Sequence, residues 1–396
     1  MNYILFDGKN RDNLLPLTYT RPVCELRVGI MTVRQKWERY LNCRVYTMTE
    51  DYLSAKYPMC HTDEDMVFID GGMLADRDLV SAVKSLQTGQ MLVWAEKEQI
   101  IAMCVDRNQY GKINQEDFHI KEYTGKVSYV NSLASIFLLN ESELKKDFEL
   151  ITAGRQSYRL NESNRLVGSE NIFVEQGAEA EFAIIDASSG PVYIGRDCKI
   201  AAGAIIKGPF AMLDGSQVKM GSRIYDATTI GPHCKVGGEV ENVVFLGYAN
   251  KAHEGFFGNS VIGHWCNIGA DSNCSNLKNT YQEVKLWSIA KNKFVPTGTI
   301  FCGTIMADHS KCGINTMFNT GTVIGVNCNL FGAGLHRNYV PSFSWGGASG
   351  MQVYDIEKAL QVARTVQLRR NIEMTQQDED ILRYVYNQTL KTDTEK

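Results

Sequence analysis

Aliphatic residues recur every six positions between residues 194 and 335, and this period limits the possible folds more than any other feature. An α-helix repeats near 3.6 residues and a β-strand at two, so neither produces a period of six. A chain that turns a corner every six residues does, because each hexad then supplies a short strand with its aliphatic side chain directed inward. The anchor positions are Ile194, Ile200, Ile206, Met212, Val218, Ile224, Ile230 and Val236, then Phe294, Ile300, Met306, Cys312, Phe318, Ile324 and Leu330.

The residue four positions after each anchor is nearly always small, with Phe210 and Val240 as exceptions. A small side chain fits where the wall of a coil bends. Three hexads close one coil and successive coils pair through their backbones, which predicts a left-handed parallel β-helix of hexapeptide repeats. A single hexad buries little apolar surface, so such a stack must be long to be stable.

The chain of 396 residues is too long for one ordinary core. Before the repeats, short apolar strands alternate with helices, which predicts a Rossmann-like α/β domain with a parallel sheet and ligands at the carboxyl ends of its strands. We expect this domain at 1–131, a helical linker at 132–165, the β-helix at 166–340 and a helical cap at 341–396. The elements predicted for the first domain are strands at 3–6, 44–48 and 66–69, helices at 25–41 and 76–86, and a hairpin of 91–95 with 100–105.

Three features are predicted within and beyond the repeats. The hexad phase slips by two positions after Val236 and resumes at Val244, Phe256, Ile262 and Ile268. Residues 281–289 interrupt the pattern and are expected to project from the wall as an extended strand or hairpin. The stack is expected to end at 332–334, and helices at 354–371 and 378–390 carry apolar stripes that could cover its open end.

Composition excludes several classes of protein. The chain has 41 Lys and Arg against 45 Asp and Glu, a net charge of −4, and so lacks the basic footprint of nucleic-acid binding. No apolar run approaches the roughly 20 residues of a membrane span, and the amino-terminal sequence lacks a signal-peptide pattern. Eleven cysteines without a CxxC pair favour free thiols over disulfides or zinc. We therefore expect a cytoplasmic protein that binds neither nucleic acid nor membrane.

The loop after the first predicted strand, from Asp7 to Gly29, contains glycine and basic residues. Such a loop before a helix can bind phosphate through backbone N–H groups and guanidinium groups. A solvated surface loop with ordinary arginines remains the alternative on spacing alone.

A resemblance to known enzymes extends this reasoning. Pro16-Leu17-Thr18-Tyr19-Thr20-Arg21-Pro22, followed by Leu26, resembles the PLTxxxPKxL segment of sugar-1-phosphate nucleotidylyltransferases, although the GGxGTR stretch is absent and Val23 replaces the lysine. The whole chain is similar to a divergent, Bacteroidetes-type branch of the bifunctional N-acetylglucosamine-1-phosphate uridylyltransferase/glucosamine-1-phosphate acetyltransferase. This resemblance implies that a sugar 1-phosphate attacks the α-phosphorus of a nucleoside triphosphate, with Mg²⁺ as cofactor and no nucleophilic side chain.

The same resemblance implies functional residues in the first domain. Asp70, at the end of the predicted strand 66–69, occupies the place of a metal-binding aspartate, although an Asp-Gly turn is an equally good interpretation. The implied nucleotide-binding residues are Gly8, Arg11, Arg21, Arg27 and Lys36.

A second set of motifs lies inside the phase slip. Residues 247–256, 267–270 and 274–279 resemble the SKAGHxxYxG and NIGAGTxxxNY segments, which form an acetyltransferase site between neighbouring subunits. The resemblance implies His253 as the catalytic base and acetyl-CoA as co-substrate. Phe256 stands in place of a tyrosine, and Lys251 is one position nearer the histidine than the lysine of the motif. The implied substrate-binding residues are Tyr248, Asn250, Lys251, Phe256 and Asn276.

The chemistry of this second set is coherent, because an amine must lose a proton to attack a thioester and imidazole accepts protons near neutrality. The expected function is acetyl transfer from acetyl-CoA to glucosamine 1-phosphate, then uridylyl transfer from UTP, in a homotrimer. Two alternatives remain open: a monofunctional thymidylyl- or uridylyltransferase with a structural β-helix, and a non-catalytic sugar-nucleotide sensor.

Overall fold

The computed structural model describes residues 1–59, 64–107 and 118–394. The chain divides into two compact units. Among the described residues, no helix is both long and apolar enough to cross a membrane. The first unit comprises Met1–Leu14, Thr20–Leu26 and Met31–Ser132, and the second comprises Leu15–Tyr19, Arg27–Ile30 and Leu133–Lys396.

The first unit is built on a six-stranded sheet of order β2-β1-β3-β5-β4-β6. Strands β1, β2 and β3 are parallel as predicted, and β4 and β5 form the predicted hairpin, so that β5 is antiparallel to both β3 and β4. The short connection between β4 and β5 is a hairpin, which can only join antiparallel strands. The elements are β1 Asn2–Phe6, α1 Val33–Leu41, β2 Val45–Met48, α2 Asp51–Ser54, β3 Met66–Asp70, α3 Arg77–Lys84, β4 Gln90–Trp94, β5 Gln99–Val105 and β6 His119–Tyr123.

Helix α1 begins eight residues later than predicted. Thr32 caps it, with its hydroxyl accepting from the Gln35 N–H and the Gln35 side chain accepting from the Thr32 N–H, a capping box. The preceding segment cannot be helical because Gly29 has φ +81°, and a Cβ at Gly29 would lie 2.8 Å from the backbone of Glu143. Within the second unit, the Gly29 N–H donates to the Asn140 side chain at 2.7 Å.

The second unit is a parallel β-helix with terminal α-helices, which confirms the predicted fold class. Its elements are α4 Ser135–Leu138, α5 Asn140–Thr152, β7 Arg165–Val167, β8 Ile172–Val174, β9 Glu179–Ala180, β10 Ile184–Asp186, β11 Val192–Ile194, β12 Lys199–Ile200, β13 Ile205–Lys207, β14 Phe210–Met212, β15 Gln217–Val218, β16 Arg223–Tyr225, β17 Thr228–Ile230, β18 Lys235–Val236, β19 Glu239–Phe245, β20 Asn250–Lys251, β21 Phe256–Ile262, β22 Asn267–Ile268, β23 Asn273–Cys274, β24 Lys285–Ser288, β25 Lys293–Pro296, β26 Ile305–Met306, β27 Lys311–Cys312, β28 Met317–Phe318, β29 Val323–Ile324, β30 Asn329–Leu330, β31 Tyr339–Val340, β32 Ser344–Gly347, β33 Gly350–Val353, α6 Ile356–Leu368 and α7 Gln376–Thr394.

Three walls run along this stack. The first contains β7, β10, β13 and β16, the second β8, β11, β14 and β17, and the third β9, β12, β15, β18, β20, β22, β27, β30 and β32. Strands β19 and β21 each bend round a corner, so that their first halves continue the first wall and their second halves the second. Each coil therefore rests on the backbone of the coil before it.

The predicted anchors fill the interior, with two sets of exceptions. All anchors of the first series from Ile194 to Val236 are buried in one cluster, as are Met306, Cys312, Phe318, Ile324 and Leu330. Phe294 and Ile300 are 44% and 39% exposed, because β24 and β25 form an antiparallel hairpin that interrupts the coils. After the phase slip Ile262 and Ile268 are buried in the cluster as predicted, whereas Phe245 and Phe257 take the inward positions instead of Val244 and Phe256.

The carboxyl-terminal end also differs from the prediction. The stack does not end at 332–334, because β31 and β32 add backbone pairs beyond it. Strand β33 then pairs antiparallel with β32 and covers the edge that the third wall would otherwise leave open. Helices α6 and α7 pack on each other, and Tyr386 of α7 contacts Phe343 with ring centroids 5.1 Å apart.

Candidate functional site

The carboxyl ends of β1 and β3 bring two aspartates to one edge of the first unit. Phe6 pairs with Asp70 in the parallel ladder, so Asp7 and Asp70 leave adjacent strands at the same level. Gly8 lies directly against Asp70, since a Cβ at Gly8 would be 2.6 Å from Asp70 Oδ2. The structure thus brings two predicted residues, Gly8 and Asp70, together at the sheet edge where ligands of such folds bind.

Asp70 is buried, and its carboxylate accepts from three groups. The Gly72 N–H donates to Oδ1 at 2.9 Å, while the Tyr129 hydroxyl and the Gln99 amide donate to Oδ2 at 2.9 and 3.1 Å. Burial raises the pKa of Asp70 to about 6 even though these donors favour the ionised form. Asp70 therefore changes charge close to physiological pH. Asp70 accepts more hydrogen bonds than the Asp-Gly turn that the sequence also allowed would require.

Asp7 is the residue that the sequence analysis missed at this edge. Its carboxylate accepts from the Val23 N–H at 2.7 Å and from the Thr49 hydroxyl at 2.5 Å, and Arg11 Nε lies 3.4 Å away. Burial raises the pKa of Asp7, and Asp7 in turn raises that of Asp70. Its position directly after β1 was the available signal, because side chains at carboxyl ends of parallel strands commonly reach ligands.

The predicted basic residues of the first domain are all buried. Arg11 is 7% exposed and donates to the Tyr52 hydroxyl at 2.6 Å in addition to its contact with Asp7. Arg21 and Lys36 are 3% and 0% exposed. Arg27 belongs to the second unit, where its guanidinium donates to the Ile30 carbonyl. Within the first unit, the structure therefore places Arg11 beside Asp7.

The side chains at this edge indicate what kind of metal ion could bind there. In the described part of the chain, no three His, Cys, Asp or Glu side chains are grouped so that they could hold a metal. Asp70 could supply one carboxylate, whose desolvation a cation would offset. Mg²⁺ commonly takes one or two protein carboxylates and completes its shell with waters and substrate phosphates. The edge therefore fits Mg²⁺ that arrives with a triphosphate better than a resident metal.

In the second unit, His253 lies at a corner of the β-helix. Residues 252–255 link Lys251 of the third wall to Phe256 of the first wall, and His253 is exposed. The neighbouring Glu254 accepts from Arg223 at 3.3 Å, which ties the corner to an earlier coil. An exposed imidazole on a rigid turn can accept a proton from a molecule that binds along the outside of the coil.

Phe256 and Asn276 approach each other beside this corner. A Cβ at Gly258 would lie 2.5 Å from Asn276 Nδ2 and 2.7 Å from Phe256 Cζ, so both side chains cover the same glycine. Asn276 also donates to Asn259 Oδ1 at 2.8 Å. The structure thus brings two predicted substrate-binding residues together on the outer face of the first wall. Gly258 and Asn259, which the sequence analysis did not single out, make this approach possible.

Tyr248 and Asn250 lie elsewhere on the same coil. Tyr248 occupies the preceding corner with φ +54°, where its ring stacks on Trp265 at 4.2 Å and on His233 at 5.0 Å between centroids. Asn250 lies on the third wall and donates to Asn267 Oδ1 at 2.8 Å. Within one chain, Tyr248 and His253 therefore lie on different corners.

Lys251 is in the interior rather than on the substrate-facing surface. It is 1% exposed, and it pairs with Val236 in the column of inward residues on the third wall. Its ammonium donates to the carbonyls of Gly237 and His253, each at 2.9 Å. Because its ladder partner is the inward Val236, Lys251 points inward and does not reach the outer face on which Phe256 and Asn276 meet.

Comparison with known proteins gives matches to both halves of the chain. Residues 3–156 match the family described as sugar nucleotidyl transferase. An uncharacterized acetyltransferase, YaiX of Escherichia coli, is 28% identical over 153 residues, which cover 38% of this chain and 66% of YaiX. A bifunctional sugar-1-phosphate nucleotidylyltransferase/acetyltransferase of Sulfurisphaera tokodaii is 30% identical over 152 residues, which cover 38% of this chain and 37% of that protein.

Two solved structures with some similarity are an acetyltransferase and an acyltransferase. The polysialic-acid-specific acetyltransferase NeuO has a TM-score of 0.26 at 14% identity, covering 56% of this chain and 89% of NeuO. UDP-N-acetylglucosamine acyltransferase from Campylobacter jejuni has a TM-score of 0.21 at 15% identity, covering 57% and 95%. TM-scores this low do not assign a function. The two curated relatives are matched over 66% and 37% of their own length.

Proposed function

We propose that this protein catalyses two successive transfers in sugar-nucleotide synthesis. The second unit transfers an acetyl group from acetyl-CoA to glucosamine 1-phosphate, and the first unit transfers a uridylyl group from UTP to the N-acetylglucosamine 1-phosphate formed. One observation carries the proposal: a chain with a sugar nucleotidyl transferase family domain continues into a β-helix whose corner exposes His253.

In this proposal, acetyl transfer takes place at the corner that carries His253. The imidazole of His253 accepts a proton from the amine of the sugar, and the amine nitrogen then forms a bond to the thioester carbonyl carbon. The carbon–sulfur bond breaks, and the proton goes from the imidazole to the leaving thiolate of coenzyme A. Phe256 and Asn276 form the adjoining surface, on which the sugar ring can pack against the aromatic ring and donate or accept through the amide.

In this proposal, nucleotidyl transfer takes place at the carboxyl ends of β1 and β3. Gly8 lets the Asp70 carboxylate pack directly against the backbone after β1, and Asp7 holds Arg11 in place next to it. Mg²⁺, when bound with the triphosphate at Asp70, would neutralise charge on the phosphates. The sugar phosphate oxygen forms a bond to the α-phosphorus while the bond to pyrophosphate breaks, so the protein's role is to position and to screen charge.

A second candidate is a monofunctional nucleotidylyltransferase whose β-helix is structural. Two observations favour it: Phe256 lacks the hydroxyl of the tyrosine in the resembled motif, and Lys251 is buried. Under this alternative the β-helix would serve assembly and no acetyl transfer would occur.

The two candidates are separated by paired assays on the purified full chain. Pyrophosphate release is measured with UTP or dTTP, Mg²⁺ and a panel of sugar 1-phosphates, and coenzyme A release with acetyl-CoA and glucosamine 1-phosphate. We expect both products from the wild type, and we expect His253→Ala to lower coenzyme A release by about 10²- to 10⁴-fold. His119→Ala, at an exposed histidine of β6, is the matched control. Pyrophosphate release without any coenzyme A release would favour the monofunctional candidate.

Assembly and location are part of the proposal. We expect a homotrimer, since the motifs around His253 resemble sites built between neighbouring subunits, and light scattering coupled to size-exclusion chromatography measures this directly. A reducing compartment such as the cytoplasm suits the cysteines. Of the ten in the described ranges, all are free and only Cys43 is exposed.

A further inference from the structure

Three successive corners of the β-helix differ in length where the hexad phase slips. Val218 pairs with Val236, which pairs in turn with Lys251. Arg223 likewise pairs with Glu239, which pairs in turn with Phe256. The three corners between these positions contain residues 219–222, 237–238 and 252–255. The middle corner is therefore two residues shorter than the corners before and after it. This shortening removes backbone directly beneath the corner that carries His253.

Regular corners support one another through backbone hydrogen bonds. The Gly221 N–H donates to the Ala202 carbonyl at 3.1 Å, and the Asp271 N–H donates to the Glu254 carbonyl at 3.0 Å. At the shortened corner, the Lys251 ammonium bridges the Gly237 carbonyl and the His253 carbonyl, each at 2.9 Å. A side-chain donor thus joins the His253 corner to the corner below, in addition to the backbone bonds from the Gly237 N–H to the Lys251 carbonyl at 2.7 Å and from the Glu239 N–H to the Gly255 carbonyl at 3.3 Å.

The surroundings of the ammonium are built to hold it. Its nitrogen lies 5.6 Å from the centre of the Phe257 ring, on the interior side, an arrangement that attracts a cation. A Cβ at Gly238 would lie 2.8 Å from the His253 carbonyl oxygen and 2.9 Å from the ammonium, so only glycine leaves room there. An apolar residue would fill the same inward column at lower desolvation cost, and apolar residues do so at Val236 and Ile268.

We propose that Lys251 is a positioning residue for acetyl transfer, which replaces the missing backbone of the shortened corner and fixes the turn that presents His253. The catalytic part of this inference rests on the proposed acetyltransferase function. Its structural part does not, because the hydrogen bonds exist whatever the reaction. Lys251 takes no part in bond making, since the substrate side of the corner lies outside the coil. Burial lowers the pKa of Lys251 to about 8, which is consistent with an ammonium enclosed by protein.

The test combines hydrogen–deuterium exchange with kinetics on the full-length Lys251→Met protein. Methionine keeps the length of the side chain but cannot donate, so the carbonyls of Gly237 and His253 lose their partner. We expect amide exchange in the peptide containing residues 252–257 to become at least about tenfold faster. We also expect kcat for acetyl transfer to fall at least about tenfold while KM for acetyl-CoA changes less than about twofold.

Lys311→Met is the matched control, because Lys311 also donates to a backbone carbonyl two residues away, that of His309, at 2.7 Å. Exchange at 252–257 and acetyl transfer should stay within about twofold of the wild type in this control. Gly238→Ala perturbs the same corner from below and should raise exchange at 252–257 even if Lys251→Met folds poorly.

The outcomes are distinct. Unchanged exchange at 252–257 in both Lys251→Met and Gly238→Ala would overturn the positioning role. Faster exchange with unchanged kcat would overturn its importance for catalysis. Faster exchange in a protein whose wild type releases no coenzyme A would overturn the proposed function while leaving the structural role of Lys251 intact.

Discussion

The strand edge of the first unit and the His253 corner of the second use burial in opposite ways. At the strand edge the candidate reactive group itself is buried, since Asp70 is 2% exposed and accepts from three donors. At the corner the candidate base is exposed, while its supporting residue, Lys251, is 1% exposed. The rate at the first site should therefore depend on whether the buried carboxyl group of Asp70 is protonated. The rate at the second site should depend on how rigidly the turn holds His253.

The largest effect is expected in the walls that support the corner. Ile206 points inward and is 0% exposed, whereas its neighbour Ile205 points outward and is 47% exposed. Ile206→Ala should lower the free energy of unfolding of the second unit by about 2–5 kcal/mol, because it leaves a cavity in the core, and Ile205→Ala by less than about 0.5 kcal/mol. Denaturant unfolding followed by circular dichroism measures both.

Equal effects of the two substitutions would contradict the inward and outward assignment on which the corner geometry depends. Pyrophosphate release by Ile206→Ala, measured well below the unfolding midpoint, should remain near the wild-type value. A parallel loss of that activity would break the contrast between the two regions.

The next effect concerns the buried carboxylate. Asp70→Asn removes the charge while keeping the size of the side chain, and we expect pyrophosphate release to fall roughly 10- to 100-fold, the range found when groups that support a metal–substrate complex are removed. Asp78→Asn, at an exposed position of α3, is the control and should have no such effect. Acetyl transfer should be unchanged in both variants.

Pyrophosphate release by the wild type should also depend on pH, in a direction that the pKa of Asp70 sets. Burial raises the pKa of Asp70 to about 6, so the carboxylate is ionised above that pH and protonated below it. Pyrophosphate release should fall as the pH is lowered through 6. The folded protein also binds this proton more tightly than the unfolded chain, so Asp70 makes folding less favourable as the pH rises from 3.8 through 6. A profile that is flat between pH 5 and 7 would show that ionised Asp70 is not required.

The smallest effect is expected beside the corner. Gly258→Ala adds a methyl group where Asn276 and Phe256 meet, so both side chains must move outward. We expect KM for the amino sugar to rise about three- to tenfold, with kcat and stability changed little. Gly313→Ala is the control, because a Cβ at Gly313 meets its nearest neighbour at an ordinary 3.6 Å. An unchanged KM in Gly258→Ala would separate Phe256 and Asn276 from substrate binding.

The regular part of the molecule could be predicted from the sequence, because every hexad repeats the same requirement for one inward apolar side chain. Anchors such as Ile200 and Ile324 are buried as expected. The six-residue pattern does not predict the residue at a position that has a role other than filling the core. Lys251 stands in the inward column because a corner two residues shorter needs a donor, and no periodic rule foresees a lysine there.

The strand edge was harder to predict for a different reason. The hairpin of β4 and β5 was predicted, but its pairing with β3, which brings Gln99 to Asp70, was not. The resemblance implied that Arg27 binds nucleotide together with Arg11, but Gly29 breaks the expected helix and the segment Arg27–Ile30 belongs to the second unit. Contacts between residues distant in sequence decided both points, and a single sequence does not contain them.

The central claim is that one chain contains two separate transfer sites, and a crossed measurement tests it most directly. Pyrophosphate and coenzyme A release are measured on the same preparations of wild type, Asp70→Asn, His253→Ala and the double variant. We predict that Asp70→Asn loses only pyrophosphate release, that His253→Ala loses only coenzyme A release, and that the double variant loses both. Loss of both activities in either single variant, with the protein still folded, would contradict the account.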